Sequence, residues 1–239
     1  SINIMGLLNL LEAAVAGGVR RFLYVSSGGV VYGEPEDLPV SETAPKQPLS
    51  PYGVSKLTGE HYLHFYRQIH GLESVSLRYS NVFGPRQDPN SEYSAVIPKF
   101  ITALLESRHP TVFGDGEQSR DFTYIDDITE GVVRTCDRIA TPAPDWNPAS
   151  PDPGTSFAPY RLYNIGNNQP VELMRYIEVL ENCLGRKAEK NLLPLQPGDV
   201  PDTYADVADL VRDVDYMPAT SIEEGIANFV DWYREYYQP

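Results

Sequence analysis

The sequence predicts an α/β fold in which an open parallel sheet is combined with a smaller C-terminal α/β lobe. Helical and strand-like hydrophobic patterns alternate along most of the 239 residues, as they do where helices join parallel strands. Two of the strands run into loops of small or polar residues, at the sheet edge where open α/β folds bind ligands. The length suits one large domain, or one domain with an appendage.

Each predicted element rests on spacing and on the residues that end it. Apolar residues at helical spacing stop at Gly17-Gly18 and again at Gly71, since glycine commonly follows a helix. The stretch 141–160 contains six prolines and little periodicity, which predicts a loop or insertion. In order, we predict helix 1–18, strand 19–25, helix 52–70, strand 75–79, loop 81–87, helix 94–107, strands 110–116 and 119–125, helix 128–140, strand 162–165 and helices 171–184 and 221–237.

Composition excludes several classes of function. The formal net charge of -14 disfavours binding to nucleic acid or to anionic membranes. Cys136 and Cys183 are too few for a disulfide framework, no His/Cys cluster has metal-ligand spacing, and a reducing cytosol fits best. No signal peptide or long apolar run is present, so we expect a soluble protein without a metal.

The stretch 50–60 carries a candidate acid–base pair. Pro51 favours a helix start, which would put Tyr52 and Lys56 four residues apart on one face. An ammonium beside a phenol favours the phenolate and brings its pKa toward neutrality. Tyr52 could then exchange a proton near pH 7, although such pairs are also common on ordinary surface helices.

Five stretches resemble, in family order, the extended short-chain dehydrogenase/reductase family, and within it the nucleotide-sugar 4-epimerases. They are Arg21-Phe22-Leu23-Tyr24-Val25-Ser26-Ser27, Val31-Tyr32-Gly33, Ser50-Pro51-Tyr52-Gly53-Val54-Ser55-Lys56, Leu77 to Gln87 and Arg120 to Asp127. The resemblance implies a Rossmann-like sheet. From Arg120 onward the chain is most similar to UDP-glucuronate 4-epimerases, whereas the first half looks more like UDP-glucose or UDP-N-acetylglucosamine 4-epimerases.

Two features depart from that family. Its catalytic Ser or Thr registers with Gly28, which has no hydroxyl, so Ser27 is the substitute that we expect. Its N-terminal glycine-rich unit, which approaches the NAD pyrophosphate, has no counterpart here, and the chain begins at Ser1 in an apparent helix. We therefore expect the N-terminal half of the sheet to be missing, the chain to be a fragment or to be covered by another chain, and NAD binding by this chain alone to be weak or absent.

The resemblance implies the mechanism and the cofactor, NAD. Lys56 would bond the ribose and hold Tyr52 deprotonated, Tyr52 would take the proton of the 4-hydroxyl, and a 4-keto sugar would be reduced on its other face. The implied catalytic residues are Tyr52, Lys56 and Ser27. The implied cofactor contacts are Ser26, Ser27, Tyr52, Lys56 and Tyr79.

The resemblance also implies a UDP-sugar substrate, a homodimer and a cytoplasmic location. Arg120 would pair with the diphosphate, unless it only pairs with Asp121 or Asp126. Arg86 would hold a C6 carboxylate, and Thr203 would leave room for a larger sugar. The implied substrate-binding residues are Gly28, Asn81, Arg86, Ala95, Val96, Phe113, Arg120, Gln196, Asp199 and Thr203.

The predicted organisation is a cofactor domain at 1–93 plus part of 120–170, with a UDP-sugar-binding lobe at 94–119 and 171–239. Two other functions stay open. A nucleotide-sugar dehydratase or decarboxylase shares the Tyr/Lys chemistry, although Gly28-Gly29 counts against the dehydratase. An incomplete, non-catalytic domain is the alternative from a different class.

Overall fold

The computed structural model describes residues 2–88, 96–195 and 200–237. It divides into two units. Unit 1 comprises Ser1–Ser80, Glu130–Ile165 and Ala205–Met217, and unit 2 comprises Asn81–Thr129, Gly166–Tyr204 and Pro218–Pro239. The predicted lobe began at 94 and included 205–217, whereas the structure assigns 81–93 to unit 2 and 205–217 to unit 1.

Unit 1 is built on a three-stranded sheet in the order β1 (Arg21–Ser27), β2 (Glu73–Tyr79) and β7 (Tyr160–Ile165). All its pairs are parallel, with Ser27 opposite Tyr79 and Tyr79 opposite Ile165. The predicted strands at 19–25, 75–79 and 162–165 are confirmed, with small shifts in their bounds. Because the strands are parallel, their carboxyl ends meet at one edge of the sheet.

The helices of unit 1 bury their apolar faces on this sheet. They are α1 (Leu7–Ala16), which follows a π-type turn at Ile2–Gly6, α2 (Gly28–Val31), α3 (Pro51–His70) and α7 (Ala208–Val214). Leu7 and Leu11 of α1 and Leu63 of α3 pack with Tyr24 and Leu162 from the strands. This apolar core holds α3 against the strands that carry the candidate site.

Unit 2 has its own apolar core and, among the described residues, three pairs of strands that are two or three residues long. Phe83, Phe122, Tyr176 and Phe229 are fully or almost fully buried in that core. Its strands are β3 (Asn81–Phe83), β4 (Thr111–Phe113), β5 (Ser119–Arg120), β6 (Phe122–Tyr124), β8 (Val171–Glu172) and β9 (Asn191–Leu193), and its helices are α4 (Val96–Leu105), α6 (Leu173–Leu184) and α8 (Ile222–Tyr237). Helix α5 (Ile125–Asp137) begins in unit 2 and ends in unit 1.

The structure corrects several of the predicted elements. The stretch 81–87 was predicted to be a loop, but Asn81–Phe83 pairs in parallel with β6. The single strand at 119–125 is interrupted at Asp121, whose buried carboxylate accepts the Asn167 N–H at 2.9 Å. The sequence did not predict α2, β9 or α7, and the two residues predicted to begin the helix at 171 form β8 instead, since short elements give little periodicity.

Two kinds of feature are absent from the residues that the structure describes. None of the helices there is both long and apolar enough to cross a membrane. No group of three or more His, Cys, Asp or Glu side chains in the same residues could hold a metal ion.

Candidate active site

Helix α3 sets the position of Tyr52 and Lys56. Ser50 caps it, because its side chain accepts the Gly53 N–H at 3.1 Å, and Pro51 occupies the first turn. The helix begins at Pro51, one residue before the predicted start at 52. Tyr52 and Lys56 lie one turn apart, as predicted, on an unbroken helix.

Two glycines of α3 allow the helix to approach its neighbours closely. A Cβ at Gly53 would come within 2.6 Å of the Val30 carbonyl oxygen, and one at Gly59 within 2.3 Å of the Tyr24 hydroxyl. Either substitution would force the backbone or a ring to move. These contacts bring the Tyr52–Lys56 turn against the carboxyl end of β1.

Lys56 is anchored on that strand end. Its Nζ donates to the Val25 carbonyl oxygen at 2.9 Å, and it lies 5.6 Å from the centre of the Tyr52 ring. Burial lowers the pKa of the Lys56 ammonium below its usual value. Tyr52 is 42% exposed, so an accessible tyrosine lies beside a partly desolvated amine, an arrangement that allows proton transfer.

Tyr24 completes the packing around Lys56. Its hydroxyl donates to the Lys56 carbonyl oxygen at 3.3 Å, and its ring centre lies 5.3 Å from Lys56 Nζ. Burial, with a further contribution from the Glu60 carboxylate, raises the pKa of Tyr24 above its ordinary range. Tyr24 therefore stays protonated, and Tyr52 is the phenol with both exposure and a neighbouring ammonium.

Ser27 and Gly28 lie at the junction of β1 and α2. Ser27 has extended backbone and precedes the helix, and its hydroxyl does not cap that helix. A Cβ on Gly28 would lie 3.4 Å from the Tyr79 carbonyl oxygen and 3.5 Å from that of Arg78. There is thus room for a side chain at position 28. In this sequence the hydroxyl nearest to that position along the chain is that of Ser27.

Ser26 differs from its neighbour, because its side chain is buried. It is 2% exposed, and its hydroxyl donates to the Glu60 carboxylate at 2.6 Å. Arg78, also buried, bonds the same carboxylate through Nε at 2.9 Å and Nη2 at 2.6 Å. The predictions from sequence missed Glu60 and Arg78. For Glu60 a signal was available, because positions 52, 56 and 60 lie on one helix face.

Lys56 and Tyr79 lie at strand ends, whereas the side chain of Ser26, which the sequence also predicts to contact the cofactor, is 2% exposed and bonds Glu60 instead. A lysine ammonium has three N–H donors, and the Val25 carbonyl accepts one of those of Lys56. Tyr79 ends β2 opposite Ser27, and burial, with a contribution from Cys136, raises its pKa to about 12. These residues offer donors and a neutral phenol at one edge of the sheet, which suits the ribose hydroxyls of a dinucleotide.

The predicted substrate residues that the structure describes lie, apart from Gly28, in unit 2. Asn81 begins β3, and its side-chain oxygen accepts the Thr203 hydroxyl at 3.0 Å. The Asp121 N–H donates to the Thr203 oxygen at 3.3 Å. The structure therefore brings Asn81 and Thr203 together, although the sequence separates them widely.

Arg120 lies on β5 beside the segment that contains Thr203. Its Nη1 donates to the Pro201 carbonyl oxygen at 2.6 Å and to that of Ser119 at 2.9 Å. Ser119 in turn donates through its N–H to Asp202 at 3.0 Å. These bonds fix the guanidinium next to the 200–203 segment.

The remaining predicted substrate residues are more scattered. Arg86 is exposed and has a left-handed φ of 71°, and Phe113 is half-buried at the end of β4. Val96 begins α4, but its side chain, together with Ala95, Gln196 and Asp199, lies outside the described residues.

Comparison with known proteins identifies the family. The model of the NAD dependent epimerase/dehydratase family matches residues 1–149, more than half of the chain. The chain belongs to this family. It is 43% identical over 237 residues to Protein CapI of Staphylococcus aureus, with 99% of this chain and 70% of that protein covered.

Solved structures of two epimerases share this fold. One is UDP-glucuronic acid 4-epimerase from Bacillus cereus in complex with UDP-glucuronic acid and NAD, at 34% identity and a TM-score of 0.83, covering 98% of this chain and 67% of that one. Another is UDP-N-acetylglucosamine 4-epimerase from Methanobrevibacter ruminantium M1 in complex with UDP-N-acetylmuramic acid, at 33% identity and a TM-score of 0.84, covering 98% and 69%. The predicted α/β, Rossmann-like fold and the predicted family are confirmed.

Proposed function

We propose that this protein is an NAD-dependent nucleotide-sugar 4-epimerase that inverts C4 of UDP-glucuronate or a related UDP-hexose. The observation that carries the proposal is the Tyr52–Lys56 pair on α3, with the Lys56 ammonium bonded 2.9 Å from the Val25 carbonyl at the end of β1. The solved relatives named above carry UDP-sugars, and one also carries NAD.

The chain's residues would divide the work as follows. Tyr52 accepts the proton of the sugar's 4-hydroxyl as C4 is oxidised and returns it when C4 is reduced on the opposite face. Lys56 stabilises the phenolate form of Tyr52 and holds ribose hydroxyls of the cofactor. Ser27 donates a hydrogen bond to the C4 oxygen. NAD, when bound, supplies a hydride acceptor and donor for C4.

Unit 1 would bind the cofactor and unit 2 the UDP-sugar. Arg120 would pair with the diphosphate through its fork of donors, and Asn81 would contact the sugar or the diphosphate. Arg86, as an exposed cation, would hold the C6 carboxylate of a uronic acid. Ala95, Val96, Phe113, Gln196, Asp199 and Thr203 would form the remaining uridine and sugar contacts.

The assembly and location would follow the predictions from sequence. Leu10, Phe65 and Ile69 leave large apolar areas exposed on α1 and α3 of unit 1, which supports a homodimer. Light scattering during size-exclusion chromatography measures that state. Cys136 and Cys183 are free thiols, which supports the reducing cytoplasm as the compartment.

The test of the function is a product analysis. The protein, expressed from its complete reading frame and supplied with NAD, is incubated with UDP-glucuronate, UDP-glucose or UDP-N-acetylglucosamine, and the 4-epimers are resolved by chromatography. We expect one of these sugars to be converted without net formation of NADH. Loss of water or of carbon dioxide from the sugar would instead identify a dehydratase or a decarboxylase.

A variant separates the chemistry from simple binding. Tyr52→Phe keeps the ring but removes the acid–base group, so we expect turnover to fall by a factor of about 10² to 10⁴. Tyr62→Phe, ten residues later on the same helix, is the matched control and should keep its activity. Full activity in Tyr52→Phe would rule out this mechanism.

A further inference from the structure

A buried polar cluster lies against the Tyr52–Lys56 turn and takes no part in the proposed chemistry. It consists of Ser26, Tyr32, Glu60 and Arg78, which are 2%, 3%, 4% and 1% exposed. Buried charges are costly unless they are paired and hydrogen-bonded. Such a cluster therefore needs an explanation beyond ordinary core packing.

The cluster ties together the two elements that hold Lys56. Glu60 follows Lys56 by one helical turn on α3, and Ser26 follows Val25 on β1. Lys56 Nζ donates to the Val25 carbonyl oxygen at 2.9 Å, and the Ser26 hydroxyl donates to Glu60 Oε1 at 2.6 Å. Consecutive turns of α3 are thus bonded to consecutive residues of β1.

The Glu60 carboxylate is itself held on both oxygens. Arg78 Nε donates to Oε1 at 2.9 Å and Arg78 Nη2 to Oε2 at 2.6 Å, which is the two-point geometry that fixes a carboxylate's orientation. Because rotation of the carboxylate would break these bonds, the oxygen that accepts the Ser26 hydroxyl keeps one position.

Tyr32 holds the other side of the guanidinium. Its hydroxyl accepts from Arg78 Nη1 at 2.7 Å and donates to the Asn164 side-chain oxygen at 2.6 Å. Burial raises the pKa of Tyr32 to about 12, so this hydroxyl keeps the proton that it donates. The chain of bonds from Asn164 to Ser26 is complete.

We propose that Glu60 is a positioning residue which, through the Ser26 hydroxyl, fixes the end of β1 against α3 so that the Val25 carbonyl holds the Lys56 ammonium beside Tyr52. This inference rests on the proposed function for its catalytic consequence, but the position of Lys56 can be measured without substrate. A purely structural role for the cluster predicts lower stability with no specific change at Lys56.

Ser26→Ala is the most direct variant, because it removes the Ser26–Glu60 hydrogen bond and leaves the Glu60–Arg78 ion pair intact. Ser74→Ala is the matched control: Ser74 is equally buried in the same sheet, and its hydroxyl donates to the Leu72 carbonyl oxygen at 2.9 Å, away from Lys56. Ser26→Thr keeps the hydroxyl and tests rescue. If Ser26→Ala does not fold, Ser26→Cys, with a weaker donor of similar size, replaces it.

The first measurement is the rate at which an amine-selective acylating reagent modifies Lys56, quantified by peptide mass spectrometry relative to the exposed Lys99. In Ser26→Ala we expect about a fivefold faster modification of Lys56, the ratio that one ordinary hydrogen bond supports. Ser74→Ala and Ser26→Thr should match the unmodified protein. An unchanged Lys56 rate in Ser26→Ala, or an equal increase in Ser74→Ala, would overturn the proposal.

The second measurement is the pH profile of kcat for the UDP-sugar that is turned over. A displaced ammonium stabilises the Tyr52 phenolate less, so the acid limb should move to higher pH by about one unit in Ser26→Ala, with KM for the UDP-sugar unchanged. An unmoved acid limb contradicts the catalytic consequence. Absence of epimerisation by the unmodified protein, together with faster Lys56 modification in Ser26→Ala, would reject the proposed function while supporting the positioning role.

Discussion

The Thr203 hydroxyl donates to the side-chain oxygen of Asn81 at 3.0 Å. Since an amide carries its oxygen and its NH₂ group on opposite branches, this bond directs the Asn81 NH₂ donor away from Thr203. The Asp121 N–H, which donates to the Thr203 oxygen, leaves the hydroxyl proton to point at Asn81. Thr203 thus orients a residue that we propose to bind the substrate.

Thr203→Val should weaken substrate binding, because valine keeps the volume but cannot orient the amide. We expect KM for the UDP-sugar to rise about fivefold, the effect of one hydrogen bond, with a smaller change in kcat. Initial rates across substrate concentrations measure both. Thr129→Val is the control, since the Thr129 hydroxyl donates to the Ile125 carbonyl oxygen of its own helix at 2.9 Å. Equal KM values for Thr203→Val and the unmodified protein would refute the orienting role.

Ser27 and Gly28 can be tested as a pair. If Ser27 donates to the C4 oxygen, Ser27→Ala should lower kcat by a factor of about 10² to 10³, in line with the loss of one donor in a transition state. Gly28→Ser adds a hydroxyl where the atoms nearest to a Cβ are carbonyl oxygens at 3.4 Å and 3.5 Å and the Arg78 Cβ at 3.7 Å. We expect the Ser27→Ala/Gly28→Ser double variant to regain part of the lost kcat. Undiminished kcat in Ser27→Ala would remove Ser27 from the mechanism.

The Glu60–Arg78 ion pair should make a large contribution to stability. Arg78→Met leaves a buried carboxylate without its cation, which we expect to lower the free energy of unfolding by about 3 to 5 kcal/mol. Arg212, which is 64% exposed and pairs with Asp209 and Asp213, is the matched control; Arg212→Met should cost about 1 kcal/mol or less. Urea denaturation followed by circular dichroism compares them. Similar losses in the two variants would show that burial does not govern the contribution of these pairs.

Glu42 should make stability depend on pH. Burial, with smaller contributions from Asp209 and Asp206, raises the pKa of this carboxyl from 4.5 to about 7, although the backbone N–H bond from Asn164 acts in the opposite direction. A group that binds its proton more tightly in the folded state stabilises that state at low pH and loses this contribution as pH rises. The window is therefore pH 4.5 to about 7.

The measurement is the difference in unfolding free energy between the protein and Glu42→Gln across that window. We expect the unmodified protein to lose up to about 3 kcal/mol relative to the variant as pH rises from 4.5 to 7. The comparison with the variant is needed because burial lowers the pKa of His64 to about 4. His64 therefore makes the free energy of unfolding rise with pH below 6.5, and this contribution is the same in both proteins and cancels in the difference. A constant difference would show that Glu42 titrates normally.

Local patterns account for most of what could be predicted. The spacing of apolar residues, Pro51 at a helix start and Gly71 at a helix end specify α3 because caps and periodicity act within a few residues. The same is true of the strands around Val25 and Leu77. Asn81–Phe83 was missed because a strand of three residues is formed by its partner β6, which lies far along the chain.

The sequence by itself determined the α/β class, the family and the Tyr52–Lys56 pair, since these depend on local spacing and on contiguous motifs. Only the tertiary structure decided that Ser26 turns to Glu60 rather than to the open edge of the sheet, that Arg78 holds Glu60, and that Thr203 bonds Asn81. Those bonds join residues 18 to 122 positions apart. Hydrogen bonds of this kind depend on distances of about 3 Å, and such distances are fixed only when the core brings separate elements together.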